Sequence, residues 1–353
     1  MDPWRLSGTL LLTVLMNKRT RRTLWIVASV LVLLAVAIFL RSKAPPEAAR
    51  LLPESDGILY ANLRPFRAFL HQDKALKPPQ RDPDYQQFVS ATGIDWEQDL
   101  DEAAIALHRM PDPSGPNGPV AYSIVLVGRL KGKALASYLD AHGATHESYA
   151  SHIIYNLPSE GRTVRVAQIG YDMVAISNTP TAEQIHSMLD RHRAAALPFS
   201  GSTLLAHHFD EVPLLSLAWG VGQIGLPFSE SGSIHILGLA LPVPSDTTLV
   251  ASVRWAGSLY LRVEEATPDE STAQSQATQL NTLVTLARGV TSLLQQNATA
   301  NGRANAGLKQ ILDSAEITQK RSRVVATATL NPSLLRDMTN EDTAATPTPS
   351  LTK

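Results

Sequence analysis

The chain has 353 residues, a formal net charge of -1 and no cysteine, and 44% of its residues are hydrophobic. The missing cysteine excludes a disulfide framework, a thiolate nucleophile and a thiolate metal site. A near-neutral balance without a basic stripe interleaved with aromatics argues against a nucleic-acid partner.

The first informative element is Leu24 to Leu40 (LWIVASVLVLLAVAIFL), 17 residues without a charge, behind Lys18, Arg19, Arg21 and Arg22. At about 1.5 Å per residue it reaches roughly 26 Å, close to a hydrocarbon core of about 30 Å once flanking arginines snorkel. The spacing predicts one transmembrane signal anchor. Cations before the run (Arg5 with the four above) outnumber Arg41, Lys43 and Arg50 after it, so the amino terminus is expected in the cytoplasm and the remainder outside. A cleaved signal peptide is the rival reading, but the apolar run exceeds the usual 7 to 15 residues of such a core. Met16-Asn17-Lys18-Arg19 has the character of a start, which predicts translation from Met16 rather than Met1. Setting aside the five cations and Asp2 leaves 26 basic against 31 acidic side chains, a mildly acidic outer portion of about 300 residues with enough Val, Leu, Ile and Ala for a real core.

The expected organisation is a cytoplasmic stub over 1–23, the anchor over 24–40, a Pro-containing linker over 41–51, a first α+β unit over 52–225, a second over 226–340 and a disordered tail over 341–353. In the first unit, Gly57 to Leu63 and Ala103 to His108 read as strands, separated by helices at Pro65 to Leu70 and Tyr85 to Ala91. Met110 to Pro119, rich in Pro and Gly, is a loop. Val120 to Val127 is a β-branched strand, Lys131 to His142 a helix stopped by Gly143, and His152 to Leu157, Thr163 to Ile169 and Tyr171 to Ser177 are strands. Thr179-Pro180 opens a helix to about Arg193. This order is partly ferredoxin-like, a split βαβ arrangement, with Leu214 to Trp219 as the strand that closes the sheet. The second unit has strands at Ile234 to Leu241, Thr248 to Trp255 and Ser258 to Glu264. A long helix follows from Thr267-Pro268-Asp269-Glu270 to about Gln296, then a helix at Ala304 to Ser314 and a hairpin around Lys320. Gly57 to Phe66 and Pro213 to Ile224 both read as an apolar strand leading into a turn, a hint of duplication.

Chemistry is sparse. Gly220-Val221-Gly222-Gln223-Ile224-Gly225 fits G-x-G-x-x-G, but Leu226-Pro227-Phe228 is not the helix a pyrophosphate site needs. Gly128 to Lys133 (GRLKGK) is one residue short of a phosphate loop, and no cofactor is expected. His207, His208 and Asp210 carry metal-ligand residue types, although adjacent side chains diverge and no third ligand stands at helical spacing. His142 and His146 are interrupted by Gly143. Asp99, Asp101 and Glu102 have the types of paired hydrolytic acids. No G-x-S-x-G elbow or H-E-x-x-H helix exists.

Leu51-Leu52-Pro53-Glu54-Ser55-Asp56 followed by Gly57-Ile58-Leu59-Tyr60-Ala61-Asn62-Leu63 resembles the opening of uncharacterised bacterial membrane-anchored proteins, and Gly93-Ile94-Asp95-Trp96 with Asp99-Leu100-Asp101-Glu102 is similar to a segment that recurs in them. The resemblance spans roughly residues 50 to 335, brings no catalytic residues, and implies a periplasmic domain of unknown function on the bacterial inner membrane. The expected activity is that of an extracytoplasmic binding or scaffold protein with an envelope protein or small ligand as partner. The alternative is an envelope hydrolase using dispersed Ser, His and Asp residues.

Overall fold

The computed structural model describes residues 25–34, 36, 44–65, 67, 82–194, 201–223, 233–236, 239–242, 247–297 and 309–331. The chain forms two compact units, Met1–Ala44 and Pro45–Lys353. In the first, residues 25–34 are helical, and Trp25, Leu31 and Leu33 are each more than half exposed. Among the described residues no helix is long and apolar enough to cross a membrane. Leu24, Ala35 and residues 37–40 of the expected anchor lie outside the described residues, as do Met16, the cations 18–22 and the tail beyond 331.

The second unit is α+β. Among the described residues its main sheet has 12 antiparallel strands in the order β13-β14-β12-β11-β8-β1-β2-β3-β7-β6-β5-β4. They are β1 (Gly57–Asn62), β2 (Leu100–Arg109), β3 (Val120–Gly128), β4 (Thr145–Tyr149), β5 (His152–Ser159), β6 (Arg162–Ile169), β7 (Met173–Ser177), β8 (Ser216–Gln223), β11 (Thr248–Trp255), β12 (Leu259–Ala266), β13 (Glu316–Gln319) and β14 (Arg323–Leu330). The single strand expected over 234–241 is instead a pair of short strands, β9 (Ser233–Ile236) and β10 (Leu239–Pro242), which bond to each other. The expected boundary at 225/226 falls between β8 and β11, and these two strands lie hydrogen-bonded side by side in one sheet.

The topology recurs about the β1–β8 seam. Outward on one side lie β1, β2, β3, β7 and β6; on the other lie β8, β11, β12, β14 and β13. Each side is three strands, a helix and a closing hairpin in chain order: α4 (Gly132–Ala141) follows β3, and α7 (Glu270–Asn297) follows β12. The first side adds the hairpin β4–β5 beyond β6. The split βαβ expectation is met only in part, because β7, β6 and β5 separate the two strands that α4 connects, where a ferredoxin-like unit has one. β8 does not close that sheet from the β4 side; it pairs with β1 and β11.

Alternation along the strands sends successive side chains to opposite faces. One cross-strand line runs Ala175, Val125, Ala104, Tyr60, Trp219, Ser252. On this face lie α1 (Glu47–Leu51), α5 (Glu183–Arg193) and α6 (Thr203–His208), with Ala48, Leu51, Ile185, Met188 and Leu205 fully or nearly fully buried. The expected linker therefore ends before Glu47, because Ala48, Ala49 and Leu51 are core residues. The opposite line runs Val174, Leu126, Ala103, Ala61, Ala218, Val253, Leu261. Helix α4 covers one end of it through Leu135 and Leu139, together with α2 (Pro83–Thr92) and Ile94. Helix α7 covers the other through Ala273, Ala277 and Leu280 against Val324 and Ile317. Each helix packs an apolar stripe at 3.6-residue spacing.

Candidate functional site

Between α4 and α7, the middle of that second face is bare among the described residues. Its floor is built by outward positions of four strands: Leu59 and Ala61 on β1, Ala103 and Ile105 on β2, Ala218 and Gly220 on β8, and Ala251 and Val253 on β11. The recess above them holds about 410 Å³, and among the described residues no charged side chain lines it. Small side chains make the depth. Leu59 pairs with Gly220 across the seam, and a Cβ on Gly220 would lie 2.7 Å from Leu59 Cδ2, so the missing side chain lets Leu59 lie flat. Leu59 is 45% exposed, unusual for a leucine at the centre of a large sheet. A volume of this size with an apolar lining matches ligand pockets, which span about 300–1,000 Å³.

The sequence-level metal candidates do not converge. His207 Nδ1 lies 2.8 Å from the Thr203 carbonyl on its own helix. His208 Nδ1 is 3.6 Å from Glu211 Oε1, and the two imidazole rings are 6.5 Å apart. Asp210 lies in the 3-10 turn Phe209–Glu211, where its neighbour Glu211 accepts from Arg323 at 2.9 Å. Among the described residues no three His, Asp or Glu side chains are placed to hold a metal ion. His146 binds Asp140 at 2.7 Å, while His142 Nδ1 lies 2.7 Å from the Tyr138 carbonyl.

Gly220 and Gly222 are strand residues, not a phosphate loop. Gly222 faces Gly57, and a Cβ there would lie 2.8 Å from the Gly57 Cα. Ile224 and Gly225 lie outside the described residues. The GRLKGK stretch is the β3–α4 turn, with Lys131 at φ 35° and its ammonium donating to the Gly93 carbonyl.

The three acids part company. Asp99 pairs with Arg129 at 2.9 Å, and Asp101 lies between Arg67 and Arg64, the latter at 3.1 Å. Burial pushes the Asp101 carboxyl up, but hydrogen bonds from Arg67 and Arg64 hold it below the usual carboxylate range. Glu102 points to the other face, where burial and then Glu102 itself push the Tyr60 phenol far up.

One polar constellation was not singled out by sequence reasoning. His108 Nε2 lies 2.9 Å from Ser123 Oγ, Ser123 donates to Ser177 Oγ at 3.3 Å, and Ser177 contacts Thr179 Oγ1 at 2.9 Å. Burial drives the His108 imidazole down, toward neutrality. A serine, an imidazole and the nearby Asp56 have the residue types of a hydrolytic triad. Ser123 is fully buried, however, and the Asp56 carboxylate accepts from the Arg109 amide at 2.7 Å. The chain of hydroxyls satisfies polar groups inside the core and offers no substrate access. Its sequence signal is polar residues at inward positions of the apolar strands β2, β3 and β7.

No family model matches this chain, and no curated protein matches it. Among solved structures it is similar to TP0453 of Treponema pallidum. In crystal form III the identity is 10%, covering 84% of this chain and 99% of that one, with a TM-score of 0.45. In crystal form I the values are 8%, 84%, 98% and 0.44. A likeness of this degree carries no argument about activity.

Proposed function

We propose that this chain is a single-pass, membrane-anchored binding protein of the bacterial envelope, with its α+β unit outside the cytoplasm, and that the floor between α4 and α7 takes an apolar ligand. The observation that carries the binding reading is the recess of about 410 Å³ over Leu59, Gly220 and the alanines 61, 103, 218 and 251, without a charge in its lining. Leaving such a surface to water forgoes about 25 cal/mol per Å² of apolar area, which a ligand recovers on binding. The anchor reading is supported by the helical, exposed apolar side chains of 25–34 and the cations that precede them.

The test uses the full chain in lipid nanodiscs and a dansylated decyl chain as probe. Saturable binding above that of empty nanodiscs is expected, and Ala218→Leu with Ala251→Leu, which fills the floor, abolishes it. Equal binding by wild type and filled variant overturns the reading. Since the chain has no cysteine, Ser159→Cys on intact spheroplasts reports the orientation: labelling by a membrane-impermeant maleimide is expected, and labelling only after lysis contradicts an external domain.

A further inference from the structure

A second interface lies at the end of the sheet. Strand β4 is the outermost strand on its side, and three of its five residues, Thr145, His146 and Ser148, are exposed. The opposite terminal strand, β13, is treated differently by its surroundings. There the Ile317 carbonyl accepts from Asn281 Nδ2 at 3.3 Å, and Arg288 donates to the Leu312 and Ala315 carbonyls at 2.8 and 2.6 Å, so side chains of α7 occupy the backbone beside that edge. Among the described residues no side chain bonds the backbone of β4. Unpaired strand edges are templates for another strand unless they are blocked.

The face beside this edge has a defined chemistry. Glu147 and Tyr149 point toward α5: Glu147 Oε1 lies 2.8 Å from His186 Nε2, Tyr149 donates to Asp190 Oδ2 at 2.8 Å, and the Tyr149 ring stacks on His186 at 3.8 Å. These contacts hold β4 against the helix as a rigid ledge. The outer flank of α5 forms a shallow recess of about 490 Å³, lined by Glu183, His186, Ser187, Asp190, Arg191 and Ala194. Arg191 is engaged by Glu54 at 2.8 Å, and Arg193 lies 3.8 Å from Asp190. Glu54, Glu147, Glu183 and Asp190 thus place four carboxylates here against the two guanidinium groups of Arg191 and Arg193.

We propose that β4 is a docking edge for an extended basic peptide of a partner protein, which adds as a thirteenth strand with alternate lysine or arginine side chains over the α5 recess. The main-chain ladder supplies the binding and the side chains at period two supply the selectivity, as in other strand-addition sites. Five residues of β4 offer a ledge of about 17 Å.

The experiment uses the full chain in nanodiscs and hydrogen exchange at residues 145–149, with three acetylated octapeptides: alternating Lys-Val, alternating Glu-Val, and Lys-Val with every second amide N-methylated. The Lys-Val peptide is expected to protect the β4 amides, and the other two are not. Glu183→Lys, a position without an ion pair among the described residues, is expected to weaken the Lys-Val peptide by about tenfold while leaving the fold intact, and added salt weakens it likewise. Protection of β4 that survives N-methylation or charge reversal overturns the proposal, as does failure of the Lys-Val peptide to protect β4 at all.

Discussion

The seam between β1 and β8 joins the two topologically similar sides of the sheet, and Trp219 is its largest side chain. It is 5% exposed, stacks on Tyr60 at 5.4 Å with an interplanar angle of 26°, and meets the Phe209 ring edge at 5.5 Å. Trp219→Ala removes both contacts and leaves a cavity that Ala104, Val221 and Val250 cannot fill without moving strands. Large-to-small changes of this kind cost about 3–5 kcal/mol, and two aromatic partners place this one in the upper part of that range. Since a typical domain has about 5–15 kcal/mol in total, the variant loses a large fraction of its stability, a drop on the order of 10 °C in Tm. Trp219→Phe, which keeps a ring against Tyr60, loses clearly less. The assay is urea unfolding of the chain in detergent, followed by far-UV circular dichroism. A loss under about 1 kcal/mol for Trp219→Ala would refute the view that this pair fastens the seam, because a site that tolerates it is not close-packed.

Two further outcomes follow from the charged groups. Burial pushes the Glu265 carboxyl up, against weaker lowering by Gln276 and Thr247. Its stabilising contribution is therefore full below the ordinary glutamate range, about pH 4, and is lost as pH rises through its elevated folded value. Glu265→Gln should match wild type in acid and exceed it in stability at pH 7; equal pH profiles would contradict this. Arg323 bridges Glu264 at 2.8 Å and Glu211 at 2.9 Å, and burial of Glu264 is offset by Arg262 and Arg323, which hold its carboxyl low. Glu264 therefore stabilises above its ordinary range and loses that contribution as pH falls through its lowered value. Arg323→Met should cost about 1–2 kcal/mol at pH 7, since Arg262 still faces Glu264 and the arginine is partly exposed, and the cost should shrink in acid. A cost that is the same at pH 7 and at about pH 2, well below the ordinary glutamate range, would contradict it.

Elements with a strong period were legible in the sequence. Val120 to Val127, apolar and rich in β-branched residues, lies in β3, and Thr267-Pro268 opens a helix that ends within one residue of the expected Gln296. What escaped was polar or long-range. Thr145–Tyr149 (THESY) has no apolar alternation because it is an edge strand, buried on neither side as a central strand would be. Glu47–Leu51 looked like a spacer because Pro45 and Pro46 precede it, yet its two alanines and leucine pack into the core. The apolar floor was invisible, since Leu59, Ala103, Ala218 and Ala251 come from four strands whose adjacency is set by pairing across the seam. An alanine in a strand reads as weak propensity; only the assembled sheet shows that four of them leave a hollow. The two apolar segments read at 57–66 and 213–224 contain β1 and β8, the strands that pair at the seam.

The most direct test of the apolar floor exploits the absence of cysteine. In Ala251→Cys the thiol stands on the floor, and in Ser159→Cys it stands at the end of β5, in an exposed turn. Maleimide labelling of each is timed for the full chain in nanodiscs, with and without decanol at ten times its half-saturating concentration. The account predicts about tenfold slower labelling at 251 with decanol present and an unchanged rate at 159. Equal rates at 251 with and without the alcohol would contradict it.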